Sequence, residues 1–142
     1  MKAAIVRTAE HPPVFGEYPD PVEVQGEVIV RVAASALSHL TRNRAAGRHY
    51  SSAADLESVP GVDGVGRLPD GRRVYFIFPS APFGAMGQLS RVKENQCVSV
   101  PDEVDDVREA RGSSNVLDRG ARSPFFAERL ATWHEAVRQS SC

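Results

Sequence analysis

Short apolar runs, separated by glycine and proline, dominate the first hundred residues. They cover residues 3–6, 28–36, 59–68, 73–78, 88–92 and 97–100. This spacing is typical of short β-strands joined by turns, and it predicts a β-barrel or a β-sandwich. Asp70-Gly71 lies between two of these runs and predicts a β-hairpin. Residues 38–46 lack glycine and proline, and they predict a short helix after a long strand.

The sequence changes character after Val107. Residues 108–122 are rich in Arg, Gly and Ser and are interpreted as a linker. Ser123-Pro124 is typical of a helix N-cap followed by proline, so a C-terminal α-helix is predicted over residues 123–142. Its apolar stripe consists of Phe126, Leu130, Trp133 and Val137. The abrupt change of composition fits an aberrant, frameshifted tail, whereas the cap and the stripe fit a genuine helix, and the sequence leaves both open.

The composition bears on compartment and partners. The 142 residues suffice for one domain, and the net charge of −1 argues against nucleic acid or an anionic membrane as a partner. Cys97 and Cys142 show no metal or disulfide spacing, which favours a reducing compartment. No apolar run is long enough for a signal peptide or a membrane span, so a cytoplasmic protein is expected.

The most informative motif is the glycine run Val59-Pro60-Gly61-Val62-Asp63-Gly64-Val65-Gly66. Glycine is used where a backbone approaches a neighbour closely or takes a positive φ. The run therefore predicts either a tight packing point or the wall of a ligand cleft. For Asp63 the alternatives are a cleft-lining residue and a carboxylate that accepts backbone hydrogen bonds in a turn.

Six segments, taken in order, resemble the N-terminal GroES-like catalytic domain of the medium-chain dehydrogenase/reductase superfamily. Residues 26–32 resemble its GEVLVRV strand, residues 59–66 its VPGxDxxG segment, and residues 70–74 its GDRV turn and strand. The other matching segments are residues 1–6, 83–93 and 97–102. The resemblance spans residues 1–107 and implies a mainly β fold, a partly open GroES-like β-barrel with short helices.

The residues at the zinc positions indicate a branch of that superfamily. Zinc-using members have a cysteine after the long strand and Gly-His-Glu in the glycine run, where this chain has Ser38 and Gly61-Val62-Asp63. Valine cannot ligate zinc and a serine hydroxyl is a poor ligand, so no metal is expected. The resemblance therefore implies the zinc-free quinone oxidoreductase-like branch, whose members pass a hydride from NADPH to a quinone or an enone.

The resemblance also implies candidate site residues. The branch's active-site helix often reads Asn-x-x-Asp-x-x-x-Arg-x-Gly and is followed by a tyrosine. The corresponding positions here are Ser38, Thr41, Ala45, Gly47 and Tyr50. Ser38 and Tyr50 are expected to donate hydrogen bonds to a substrate carbonyl, and Asp63 and Gly64 to line the substrate cleft. Tyr50 equally fits a packing residue at the barrel edge.

The cofactor half of the family is missing from this sequence. Family members continue into a βαβ unit whose glycine-rich turn holds the cofactor pyrophosphate. No G-x-G-x-x-G follows Val107, so no cofactor-binding residues are assigned. We expect NADPH to bind no more tightly than about millimolar, or about −4 kcal/mol.

Two functions therefore remain open. The first is the catalytic-domain half of an NAD(P)H-dependent quinone oxidoreductase-like enzyme, inactive alone. The alternative is a non-catalytic GroES-like binding or assembly module. A glycine-rich βαβ unit encoded beyond codon 142 would favour the enzyme, and unrelated sequence there would favour the module.

The predicted C-terminal helix is expected to dock through its apolar stripe, either on the barrel or on the same face of a second chain in a homodimer. Burial of Leu130 and Trp133 should contribute about 2 kcal/mol each. Trp133 is the only tryptophan, so its fluorescence reports on the contact, and its emission maximum should move to longer wavelength on denaturation. A maximum typical of solvated tryptophan, unchanged by denaturant, would show that the tail is free.

Overall fold

The longest strand, β3, organises the main sheet. The computed structural model describes residues 1–8, 11–39, 41, 57–101 and 105. The strands in this part of the chain are β1 (Lys2–Ile5), β2 (Val14–Glu17), β3 (Glu27–Ser35), β4 (Asp63–Arg67), β5 (Arg73–Ile77), β6 (Leu89–Lys93) and β7 (Cys97–Ser99), with a 3-10 turn at Glu94–Gln96. β3 pairs with β6 on one side and with β4 on the other, in an antiparallel sheet of order β6-β3-β4-β5-β7.

The main sheet is curled into a half-barrel, so the mainly β prediction is confirmed. β1 and β2 form a separate two-stranded ribbon. Backbone hydrogen bonds attach this ribbon to the segment before β6, from Ala4 N to Met86 O at 2.9 Å and from Gln88 N to Lys2 O at 3.0 Å. The N-terminal strand is therefore held by residues that come more than eighty positions later.

The alternation of side chains along β5 separates two apolar clusters on opposite faces of the sheet. One face carries a cluster of buried residues formed by Val30, Val74, Phe76, Ala85 and Val92. The other face carries a smaller cluster formed by Val65, Tyr75 and Val100. A third cluster is formed by Ala3 and Ile5 of β1 together with Val59.

A bulge in β3 changes which of its side chains point to each face of the sheet. The register against β4 shifts between Val32 and Ala34. Val32 consequently packs against the Phe76 cluster, whereas Ala34 packs against the Tyr75 cluster. The extra residue of a bulge reverses which side chains point to which face.

The predicted hairpin is confirmed. β4 and β5 pair from Asp63 opposite Ile77 to Arg67 opposite Arg73. Gly71 takes a φ of 88°, and Asp70 Oδ1 accepts a hydrogen bond from Arg72 N at 3.0 Å. Both features are typical of tight turns, where glycine and aspartate satisfy the backbone locally.

The outcome is different for β2, for the predicted short helix and for the predicted C-terminal segments. β2 is not among the predicted strands, because its residues are mostly exposed and Phe15 is 75% exposed. Backbone pairing with β1 forms this strand without an apolar pattern. Of the predicted helix at 38–46, His39 and Thr41 are helical, and residues 40 and 42–46 lie outside the described residues. The linker at 108–122 and the C-terminal helix at 123–142 also lie outside them.

Replacement of Gly66 should test the close approach of β4 to β3. A Cβ at Gly66 would lie 2.3 Å from Arg31 O and 2.6 Å from Val30 Cγ1, so Gly66→Ala should destabilise the fold by about 3 kcal/mol. Gly87→Ala is the control, because the nearest atom there, at 3.2 Å, is the flexible Cε of Met1, and its cost should stay below about 1 kcal/mol. Urea unfolding of both variants measures the difference, and equal costs would contradict the packing argument.

Candidate functional site

The glycine run leads from Val59 in the third cluster into β4. Each of its glycines lies close to neighbouring backbone atoms. Gly61 has a φ of 113°, and a Cβ there would lie 2.7 Å from Ala85 N. At Gly64 a Cβ would lie 2.9 Å from both Ala34 O and Phe76 Cζ. Of the two alternatives given by the sequence, these contacts support the packing role for Gly61 and Gly64. Gly64 is itself buried.

Ser38 begins the segment that follows β3, and its hydroxyl is in a local network. Ser38 Oγ accepts a hydrogen bond from Thr41 N and donates one to Thr41 Oγ1, both at 3.1 Å. The first of these bonds is that of a helix N-cap, in which a serine oxygen receives the N–H three residues ahead. The half-buried Ser38 hydroxyl is therefore held by its own turn.

Thr41 joins this turn to the glycine run. Its side chain is 1% exposed, and its Oγ1 accepts a hydrogen bond from Val62 N at 3.4 Å. The same hydroxyl donates to Ala36 O at 3.5 Å. Ser35 Oγ adds a second link by donating to Asp63 O at 3.1 Å. The structure thus brings the end of β3, with Ser38, against the start of β4, with Asp63 and Gly64.

Asp63 is fully buried on the face of β4 that carries the Tyr75 cluster. Its Oδ2 accepts a hydrogen bond from the Tyr75 hydroxyl at 3.2 Å, and its Oδ1 has no hydrogen-bond partner among the described residues. Burial raises the pKa of the Asp63 carboxyl to about 6, and the Tyr75 hydrogen bond offsets part of that rise. Among the described residues, no backbone N–H donates to this carboxylate. Its side chain presents no surface to solvent.

Two exposed apolar side chains flank this end of the sheet. Leu37, next to Ser38, is 67% exposed, and Phe78, which follows β5, is 40% exposed. Phe78 N donates to Val62 O at 2.6 Å, and Phe78 has a φ of 49°. A bulky residue with positive φ is uncommon, and such backbone strain concentrates at functional sites. We call Leu37 and Phe78 the apolar rim.

The described cysteine does not belong to this site. Burial raises the pKa of the Cys97 thiol to about 11, so the thiolate nucleophile is scarce at neutral pH. Cys97 packs instead against the Phe76 cluster.

Three further findings concern metal binding, membrane-spanning helices and Tyr50. No group of three or more His, Cys, Asp and Glu side chains among them could hold a metal ion. No helix within the same ranges is long and apolar enough to cross a membrane. Tyr50, the second predicted carbonyl donor, lies outside the described residues.

Solved structures share this fold. The quinone oxidoreductase of Thermus thermophilus, whose NADPH complex is also known, aligns with a TM-score of 0.65 at 24% identity, covering 75% of this chain and 34% of that one. An alcohol dehydrogenase superfamily protein from Novosphingobium aromaticivorans aligns at 0.63 and 23% identity, covering 75% and 36%. The quinone oxidoreductase of Coxiella burnetii aligns at 0.65 and 15% identity, covering 78% and 40%.

These likenesses confirm the fold expected from the medium-chain dehydrogenase/reductase resemblance. The chain spans only 34% to 40% of the length of these three structures, so it corresponds to one part of such a protein. No protein-family model matches the sequence, and no curated protein matches it.

Sequence reasoning missed three features of this region. Thr41 enters only as a family position, yet it is the link between the two segments. Tyr75 is not connected with Asp63 by any motif, although the hairpin signal at Asp70-Gly71 could have placed the two strands side by side. The apolar rim carries no sequence signal, because apolar residues at a strand end are expected to be buried.

Asp63 makes a pH-dependent contribution to stability. Its pKa rises from 3.8 in the unfolded chain to about 6 in the fold, so between these values the folded state binds more protons than the unfolded state. The free energy of unfolding should therefore fall as pH rises through this window, by about 3 kcal/mol from this group. Asp63→Asn keeps an acceptor for Tyr75 and should remove this fall, as chemical unfolding between pH 4 and pH 7 would reveal.

The matched control for this prediction is Asp70→Asn, an exposed turn aspartate whose pKa is lowered by hydrogen bonds from Arg72. In the Asp70→Asn variant, the free energy of unfolding should still fall as pH rises. Parallel stability curves for the wild type and Asp63→Asn would show that the Asp63 carboxyl titrates normally.

Proposed function

We propose that this chain is the substrate-binding half of an NADPH-dependent oxidoreductase that reduces a quinone or an enone. The observation that carries the proposal is the juxtaposition of the apolar rim with the hydrogen-bonded segment around Ser38. The fold adds support, since the quinone oxidoreductase of known structure from Thermus thermophilus was solved with NADPH. The proposal concerns a complete enzyme of which this chain supplies one part.

The rim residues suit a flat, apolar substrate. Leu37 and Phe78 extend from the ends of β3 and β5, on either side of the start of β4. Apolar and aromatic side chains with a few placed polar groups are typical of small-molecule sites. An aromatic face would pack against a quinone ring in an offset-stacked or edge-to-face arrangement.

Polar groups near the rim would orient the substrate carbonyl. The Ser38 hydroxyl is the described candidate, and it would have to turn from Thr41 Oγ1 to donate to a substrate. If the Ser38 hydroxyl turns away, Thr41 Oγ1 still accepts a hydrogen bond from Val62 N. We propose Tyr50 as the second donor, and Gly64 as a residue that keeps the site wall close to β3.

Asp63 is proposed as a wall residue of the cleft. Asp63 is the first residue of β4, and its buried position excludes direct contact with a solvent-accessible substrate. The neighbouring Tyr75 hydroxyl shares that burial and fixes one carboxylate oxygen. Asp63 would therefore act on the electrostatics of the site and not as a group that touches the substrate.

The described residues do not by themselves fit a dinucleotide. Pyrophosphate binds at the N-terminus of a helix after a parallel strand, and the described main sheet is antiparallel throughout. NADPH would supply the hydride from a second domain that covers the site. We propose no metal for the reaction, because valine and serine stand at the ligand positions of the zinc-using relatives.

A non-catalytic binding module remains the second candidate. It is favoured by two observations: the Ser38 hydroxyl already accepts the N-cap hydrogen bond from Thr41 N, and the Asp63 side chain is fully buried. In that case the apolar rim would be a contact surface for another molecule and no reaction would follow.

Quinone binding separates the two candidates. Duroquinone should bind to the chain and shift the amide signals of Leu37, Gly64 and Phe78 in a two-dimensional NMR spectrum. Phe78→Ala removes ring contact worth about 1 kcal/mol, so it should weaken binding roughly fivefold. The control is Phe15→Ala, since Phe15 is an exposed phenylalanine on β2 away from the site.

Equal affinities for wild type, Phe78→Ala and Phe15→Ala would mean that quinone does not bind through the Phe78 ring. Absence of any saturable shift at the rim would contradict the quinone-site proposal and leave the binding module. The spectrum of each variant shows directly whether its fold is retained.

A further inference from the structure

Arg31 on β3 has an exposed side chain. Within the described part of the chain, the Arg31 side chain makes no hydrogen bond or ion pair. Other described arginines are engaged: Arg7 lies 3.2 Å from Glu57, Arg72 lies 2.7 Å from Asp70, and Arg91 lies 2.7 Å from Glu27. An unpaired guanidinium fork is suited to a planar oxyanion.

The sheet register places a second arginine beside Arg31 and a third beside that one. Arg31 on β3 is opposite Arg67 on β4, and Arg67 is opposite Arg73 on β5. Like charges directly opposite each other destabilise a sheet. Arg67 Nη1 donates to the neutral carbonyl of Gly71 at 3.0 Å, which holds its side chain without cancelling its charge. An anion placed near Arg31 and Arg67 would relieve the repulsion between them.

An open cleft of about 360 Å³ lies beside Arg31. Its lining residues are Met1, Asp20, Arg31, Val32, Gln88 and Leu89. Leu89, which pairs with Arg31 across β3 and β6, supplies apolar surface, while Arg31 and Gln88 supply polar groups. Asp20 Oδ1 lies 2.5 Å from the Met1 ammonium, so these two charges neutralise each other. The cleft has the volume of a small-ligand site.

We propose that this cleft binds a small organic oxyanion, a carboxylate or a phosphate on an apolar body. The oxyanion would pair with Arg31 in the field of Arg67, and the apolar body would lie on Leu89. The cleft is separate from the rim, because Arg67 and Asp63 are at opposite ends of β4, about 13 Å apart at the usual rise of a strand. The proposal therefore stands independently of the proposed quinone site.

The test uses the full 142-residue chain with three probes: phenyl phosphate, benzoate and inorganic phosphate. Titration followed by NMR should shift the amides of Val32, Gln88 and Leu89 for phenyl phosphate and benzoate. Inorganic phosphate lacks the apolar body and should bind at least about threefold more weakly than phenyl phosphate. Arg31→Gln should weaken phenyl phosphate binding by about tenfold or more, as expected for loss of a charged hydrogen bond.

Two further variants make the result decisive. Arg72→Gln is the matched control, because Arg72 is paired with Asp70, and it should bind like the wild type. Arg31→Lys keeps the charge but loses the fork, and it should lie between the wild type and Arg31→Gln; it decides the test if Arg31→Gln does not fold. Absence of saturable shifts, or equal binding by the wild type and the Arg31 variants, overturns the site. Equal affinity for phenyl phosphate and inorganic phosphate overturns the role of Leu89.

Discussion

The close approach of β4 to its two neighbours is the constraint on which the rest of the structure depends. Gly66 leaves room for Arg31 O and the Val30 side chain, and Gly64 leaves room for Phe76. Because β4 has no side chains at these two positions, large residues from β3 and β5 fill the space over it. The largest cluster of the described residues is built in this way, from Val30, Val74, Phe76, Ala85 and Val92.

The same constraint determines what the opposite face of β4 can carry. With glycine on one face, the alternate positions Asp63, Val65 and Arg67 share the other. One strand therefore holds a buried carboxylate at its start and an exposed guanidinium at its end. The Thr41 hydroxyl fixes the start of this strand against the end of β3. The close packing at Gly64 and Gly66 thus positions the Asp63 carboxylate and the Arg67 guanidinium at the two ends of β4.

Local signals in the sequence were sufficient for the strand pattern and for one turn. Apolar runs predicted β1 and β3 to β7, and Asp70-Gly71 predicted the hairpin, because each depends on residues adjacent in the chain. The bulge between Val32 and Ala34 was not predictable, since it arises from register against a strand some thirty residues later. Whether Gly61 packs or lines a cleft likewise depended on Ala85, which only the folded chain brings near. The Asp63 carboxyl gained its perturbed pKa from enclosure, which no motif encodes.

The pairing of β3 with β6 bears on the synthesis of this protein. Glu27 at the start of β3 pairs with Lys93 at the end of β6, so one edge of β3 has no neighbour until that residue has been made. At a translation rate of about 5–20 residues per second, the wait lasts about 3–12 s. During that time the β-branched segment Val28-Ile29-Val30 has an open strand edge, the kind of segment that pairs with other nascent chains. A ribosome-associated chaperone that shields this segment should therefore raise the yield of correctly folded chains.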